Sequence, residues 1–197
     1  NQLNGLIVPN LFMKEFLVRY GVVASLITEA AFGVDITSSV DSNTRSLSHS
    51  GPLRIGFIGT LAPYKGSHVL VEAFKMLPVG GAFLKIYGSL EDFPDYASGL
   101  IACAGNHLSI EFCGTFPNSD IMQIFADIDV LIVPSLWYEN TPLVLYSAQA
   151  AGCPVIASNL PGLAAVITHD ENGLLFPAGN SVELSQQLSR LKNEAGL

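Results

Sequence analysis

Charge is scarce in this chain. Only 13% of its 197 residues are Asp, Glu, Lys or Arg, and 9 basic against 17 acidic side chains leave a formal net charge of −8. General affinity for nucleic acid needs a Lys/Arg surface that displaces counterions, so that class is excluded, and any anionic ligand must be held by a local device. Cysteine is scarce as well. Cys103, Cys113 and Cys153 show no short metal spacing, and an odd, unpatterned set reads as reduced, buried thiols of a cytoplasmic protein. His49, His68, His107 and His169 are scattered, with no pair at the helical spacing of metal ligands. There is no signal peptide, and a start at Asn1 rather than Met reads as a fragment.

An unbroken membrane-length helix is also missing. From Asn140 to Thr168 there is no charged side chain, but Pro142, Gly152, Pro154, Pro161 and Gly162 interrupt the run. The intervals fall well short of the ~20 residues of a spanning helix. The stretch reads as helix, turn, buried strand, turn, helix. No transmembrane segment is expected.

What is present is apolar. Residues of that kind make up 49%, enough for a core without disulfide or metal staples and too many for a disordered or collagen-like chain. The length allows one domain and a piece of another. Residues 1–31 hold an apolar Leu6-Ile7-Val8 and a helix through about Tyr20, stopped at Gly21. Residues 32–52 are Ser/Thr-rich and aperiodic, the pattern of a linker. From Leu53 onward, short β-branched runs alternate with helical segments. The runs are Leu53–Ile58, Phe83–Tyr87, Ser109–Cys113, Val130–Val133, Val155–Ala157 and Leu174–Phe176. The helical segments lie near Ser67–Leu77, Asp95–Ala104, Ser119–Ala126, Pro142–Ala151, Leu160–Thr168 and Ser181–Leu191. Alternation with near-continuous apolar strands predicts an α/β fold: a doubly wound, Rossmann-like parallel sheet of about six strands with helices on both faces.

In such a sheet, ligands bind beyond the carboxyl ends of the strands. Two loops there carry chemistry. The first runs from Gly59 through Thr60 to Lys65, Gly66 and Ser67, with Ser67 as a candidate helix cap. A cation beside a helix start makes an anion site, although the Walker spacing is absent and an ordinary loop with an exposed lysine gives the same local sequence. The second runs from Pro134 to Pro142, with Thr141 as N-cap and Pro142 as first helical residue. Glu139 sits there beside Trp137 and Tyr138. It can accept hydroxyl hydrogen bonds as a sugar would offer, or simply favour the positive end of the helix.

Longer strings sharpen this. In order come Phe57-Ile58-Gly59-x-Leu61-x-x-x-Lys65-Gly66, Leu84-Lys85-Ile86-Tyr87-Gly88, Ile110-x-Phe112-x-Gly114 and Ala126-Asp127-Ile128-Asp129-Val130-x-Ile132-x-Pro134-Ser135. Glu139 follows, then Ala148-x-Ala150-Ala151-Gly152-x-Pro154-Val155-Ile156-Ala157-Ser158, Gly162-Leu163 and Asn172-Gly173-Leu174-Leu175-Phe176. From Leu53 to Leu191 the chain resembles the C-terminal, donor-binding domain of family-4-type (group 1) retaining glycosyltransferases. Their GT-B architecture joins two Rossmann-like domains. The resemblance implies that residues 1–31 are a remnant of the acceptor domain, 32–52 the interdomain linker and 53–197 the sugar-nucleotide domain. It implies a nucleotide-diphosphate sugar as donor substrate, no cofactor and no metal. It also implies partnership with the missing N-terminal domain, which leaves room for peripheral membrane contact through that domain.

By the same resemblance, Lys65 and Glu139 are the catalytic pair. Lys65 meets the diphosphate, and Glu139 matches the first glutamate of a Glu-x7-Glu motif that contacts the donor sugar. Gly59, Thr60, Gly88, Cys113, Gly114, Thr115, Asn140, Thr141, Leu143, Val144 and Ser147 complete the donor site. The amides near Leu143 and Val144 face phosphate, and the loop from Cys113 to Phe116 covers the base. Three positions depart from the family pattern. Thr60 replaces an arginine, Ser147 the second glutamate of the motif, and Ala165 a frequent glutamate. They favour an alternative, a degenerate nucleotide-sugar-binding module without transferase activity. A sugar-nucleotide epimerase of similar architecture would need acid/base groups, and neither loop holds a histidine. Asp127-Ile128-Asp129 spells a D-x-D metal motif but leads into the amino end of a buried strand, the wrong edge of the sheet.

Overall fold

The computed structural model describes residues 4–31, 33, 51–140 and 142–193. The linker reading for 34–50 lies outside the described residues. The order is β1 (Leu6–Val8), α1 (Leu11–Arg19), β2 (Ile27–Glu29), β3 (Leu53–Ile58), α2 (Ser67–Lys75), β4 (Ala82–Tyr87), α3 (Pro94–Ala104) and β5 (Ile110–Gly114). Then follow α4 (Ile121–Asp127), β6 (Val130–Val133), α5 (Leu143–Ala150), β7 (Val155–Ser158), α6 (Pro161–Ala164), β8 (Leu174–Phe176) and α7 (Ser181–Asn193).

The main sheet has six parallel strands in the order β5-β4-β3-β6-β7-β8. The α/β expectation holds. The chain winds outward from β3 to β5, then returns to the other side of β3 and winds outward again. The order therefore reverses between β3 and β6, where a crevice opens beyond the strand ends. β6 and β7 are buried along their whole length because helices cover both faces. Alternate residues serve opposite layers. Val130 and Ile132 join the core under α2, α3 and α7, whereas Leu131 and Val133 join the core under α4, α5 and α6.

Several local expectations change. Gly66, at φ 70°, is the residue that precedes α2, and Ser67 makes no cap bond. The Ser67 hydroxyl instead lies 3.0 Å from the Tyr96 hydroxyl, which also accepts the His68 amide at 3.2 Å and so satisfies the helix start from outside. Pro142 precedes α5 rather than opening it. The helix expected over Leu160–Thr168 stops at Ala164. Asn172 takes over its last polar groups, accepting the Thr168 amide at 2.7 Å and donating to the Val166 carbonyl at 2.9 Å. None of the three cysteines is in a disulfide, and only Cys153 is buried.

The amino-terminal piece forms its own small unit. β1 and β2 pair in parallel, and α1 connects them. Asn10 caps α1 by accepting the Met13 amide at 2.9 Å. The unit rests on the β6–α5 loop. Phe12 stacks on Tyr138 at 5.8 Å between ring centroids, and Asn10 Nδ2 donates to the Asn140 carbonyl. No described helix is long and apolar enough to cross a membrane.

Candidate functional site

The two loops singled out in the sequence leave the adjacent strands β3 and β6, so both open onto the crevice. They are also fastened to each other. The Leu136 amide donates to the Tyr64 carbonyl at 2.8 Å, and Gly66 lies so close to Pro134 that a Cβ there would sit 1.9 Å from the Pro134 carbonyl oxygen. The positive φ of Gly66 and this approach exclude other residues. Lys65, in a short 3₁₀ turn over Pro63–Lys65, is thereby aimed across the gap.

There it meets Glu139. Lys65 Nζ stands 2.6 Å from Glu139 Oε1, and the Ser135 hydroxyl donates to the same oxygen at 2.7 Å. Both charged side chains are mostly buried. The Glu139 side chain therefore lines a cavity with a cation and a hydroxyl bonded to its carboxylate. Its backbone is positioned from the other side by Gly162, where a Cβ would lie 1.7 Å from the Glu139 carbonyl oxygen.

A cavity of about 460 Å³ opens above the pair. It brings together Gly59, Thr60, Lys65, Glu139, Leu143, Val144 and Ser147, all anticipated. An adjoining hollow of about 240 Å³ shares Gly59, Thr60 and Phe116 and adds Gly88 and Thr115. Cys113 and Gly114 line neither cavity. The Gly114 carbonyl accepts the Gly88 amide at 2.9 Å, so it shapes the wall from behind. Asn140 turns its carbonyl to Asn10. Thr141 lies outside the described residues. Residues not assigned a role from the sequence also join the site. Ser135 and Asn118 line the larger cavity, and Tyr87, Ser89 and Asp92 the smaller. Ser135 stood inside a motif string, but nothing in a string shows which way a hydroxyl points.

Beside the smaller hollow, burial with Cys113 alongside pushes the Tyr87 phenol up to about 12. Burial, with Glu111 nearby, raises the Cys113 thiol too, so it stays protonated at neutral pH. Ser147 returns its hydroxyl to the Leu143 carbonyl at 3.1 Å, along its own helix. Asp129 lies at the opposite edge of the sheet. Its carboxylate accepts Arg54 Nη2 at 2.5 Å and the Arg54 amide at 2.8 Å, and that hydrogen bonding raises the guanidinium above its ordinary value. A third hollow, about 360 Å³ near Cys153 and Asn172, also lies at that far edge. Among the described residues, no three His, Cys, Asp or Glu side chains converge as metal ligands would.

The arrangement can hold an anion and a polyol together. Lys65 and the first turn of α5 face one region of the cavity, while the carboxylate of Glu139 accepts hydroxyl protons in the same space. A volume of several hundred Å³ suits a small organic ligand.

The chain is similar to known proteins in sequence and in fold. Residues 41–196 match the family model described as glycosyl transferases group 1. An uncharacterized glycosyltransferase of Methanocaldococcus jannaschii is 31% identical over 141 residues, which cover 71% of this chain and 36% of that protein. An amylovoran biosynthesis glycosyltransferase of Erwinia amylovora is 29% identical over 186 residues, 89% of this chain and 44% of its own. In fold, the chain matches a crystal structure of Anabaena HepE in complex with UDP and glucose, with TM-score 0.82 and 24% identity, over 97% of this chain and 54% of that one. The chain spans less than half the length of these two curated relatives.

Proposed function

The chain belongs to the group 1 glycosyl transferases, and from that membership we propose that it is the donor-binding domain of a retaining enzyme. The reaction moves a hexose from a nucleoside diphosphate to an acceptor hydroxyl. The bond from the sugar's anomeric carbon to the diphosphate oxygen breaks, the acceptor oxygen takes its place on the same face, and the acceptor proton leaves with the diphosphate. The observation that carries this reading is the meeting of Lys65 and Glu139 at the strand-order reversal, under one cavity. Lys65 and the amides at the start of α5 support the departing diphosphate electrostatically. Glu139 orients the sugar. No metal or other cofactor is part of this proposal. The HepE structure, solved with UDP and glucose, supports the ligand class.

The acceptor site and closure of the cleft belong to the missing N-terminal domain, of which residues 1–31 are the remnant, and the enzyme works in the cytoplasm. The isolated chain binds nucleotide and does not transfer sugar. A second reading, a binding module that has lost the chemistry, is favoured by Ser147, whose hydroxyl is turned back onto its own helix where a glutamate would reach outward. Titration calorimetry of UDP-glucose, GDP-mannose and ADP-glucose against the wild-type chain and Lys65→Ala tests the ligand assignment. One of the three binds the wild type and binds the variant far more weakly. Equal binding by both removes Lys65 from the site. Transfer by the full-length parent protein separates the two readings.

A further inference from the structure

Among the described residues, Lys65 and Ser135 both donate to Glu139, and both bonds end on Oε1. The two donors differ in kind. Lys65 carries a flexible four-carbon stem whose charge any diphosphate in the cavity will share. Ser135 is the second residue after β6, has 1% of its surface exposed and sits on backbone fastened to the β3–α2 loop. A serine hydroxyl has one proton to give, and here the Glu139 carboxylate receives it.

We propose that Ser135 is the positioning residue of the site: it holds Glu139 Oε1 so that Oε2 stays turned to a ligand hydroxyl after an incoming diphosphate draws Lys65 away. This rests on the donor-site reading and adds to it the group that keeps the sugar-facing carboxylate in place. The buried hydroxyl costs stability unless it is bonded, and Glu139 satisfies it. The sugar's contact with Glu139 thus depends on a buried hydroxyl whose proton is committed to the carboxylate.

The test uses the whole 197-residue chain and three probe pairs: UDP with UDP-glucose, GDP with GDP-mannose, and ADP with ADP-glucose. Affinities are measured by titration calorimetry for wild type, Ser135→Ala, Ser135→Thr and Ser135→Cys. For the pair that binds, the ratio of sugar-nucleotide to bare diphosphate affinity falls on the order of 10-fold in Ser135→Ala, the weight of one hydrogen bond to a charged group. Ser135→Thr, which keeps the hydroxyl, restores the ratio. Ser135→Cys keeps the bulk with a weak donor, lowers the ratio as alanine does, and serves if the alanine variant melts early. An unchanged ratio in both weakened-donor variants, including an equal loss of both affinities, overturns the positioning role. If none of the three diphosphates binds the wild type, the donor-site reading itself fails, and the inference falls with it.

Discussion

Lys65 and Glu139, 74 positions apart in the chain, are joined at 2.6 Å in a site where one is assigned to the donor phosphates and the other to the donor sugar. On the proposed donor-site reading, the carboxylate competes with a diphosphate for the lysine. Glu139→Gln is therefore expected to bind bare UDP, GDP or ADP more tightly than wild type does, while losing the advantage of the attached sugar. Lys65→Ala is expected to weaken the diphosphate by roughly 10- to 100-fold, as for loss of a charge-assisted hydrogen bond. Calorimetry of both variants checks the pair. Weaker binding of the bare diphosphate by Glu139→Gln would show that the two groups do not compete.

Gly66 is a point where the two loops press together. Gly66→Ala forces a positive φ on a residue with a Cβ and drives that carbon into the Pro134 carbonyl. The expected loss is at least about 2 kcal/mol in denaturant unfolding. Nucleotide binding weakens with it, because the loop that carries Lys65 must move. A variant as stable as wild type would mean that the loops separate freely.

Asp129 pairs with Arg54 at the sheet edge away from the cavity. Asp129→Ala removes the partner of Arg54 at the amino edge of β3 and β6 and is expected to cost about 1–3 kcal/mol, discounted because the arginine is half exposed. Nucleotide affinity should stay at the wild-type value when corrected for the folded fraction. Manganese or magnesium ions that stabilise wild type but not the variant would instead restore the D-x-D metal reading.

Tyr87 sets an alkaline limit. Its phenol holds its proton to about 12 in the folded chain, against 10.0 for an ordinary tyrosine. The folded state therefore binds more protons than the unfolded state between those values, and stability falls as pH rises through that range. Below pH 10 the group contributes no pH dependence. Tyr87→Phe should flatten this decline in denaturation midpoints measured across the range. An equal slope in both proteins would place the proton elsewhere.

Strands were legible as short runs rich in β-branched and other apolar residues. Leu53–Ile58, Val130–Val133 and Leu174–Phe176 fall where their β-branched and aromatic residues place them. β2 was not legible. It is three residues long with one of them buried, so it has neither a run nor an alternation, and it exists because β1 lies beside it. Helix ends were the least legible. Tyr96 at the start of α2 and Asn172 after α6 come from distant or neighbouring segments, and composition within the helix does not reveal them. In the site, Lys65 and Glu139 were recognisable through family motifs. The contacts of Ser135 and Gly162 with Glu139 were not, because a motif string does not show which side chains or backbones meet.

By itself the sequence determined the class of fold, the sheet edge at which a ligand can bind and the local character of the proposed anion site. These follow from hydrophobic period, from Gly and Pro placement and from the shortage of positive charge, all of which are properties of nearby residues. The tertiary structure decided which groups meet. Only the return of the chain past β3 puts β6 next to it, and only then do Lys65, Ser135 and Glu139 share one carboxylate oxygen. Ser135 and Glu139 share one loop, but Lys65 lies 74 positions from Glu139, and packing alone closes that distance.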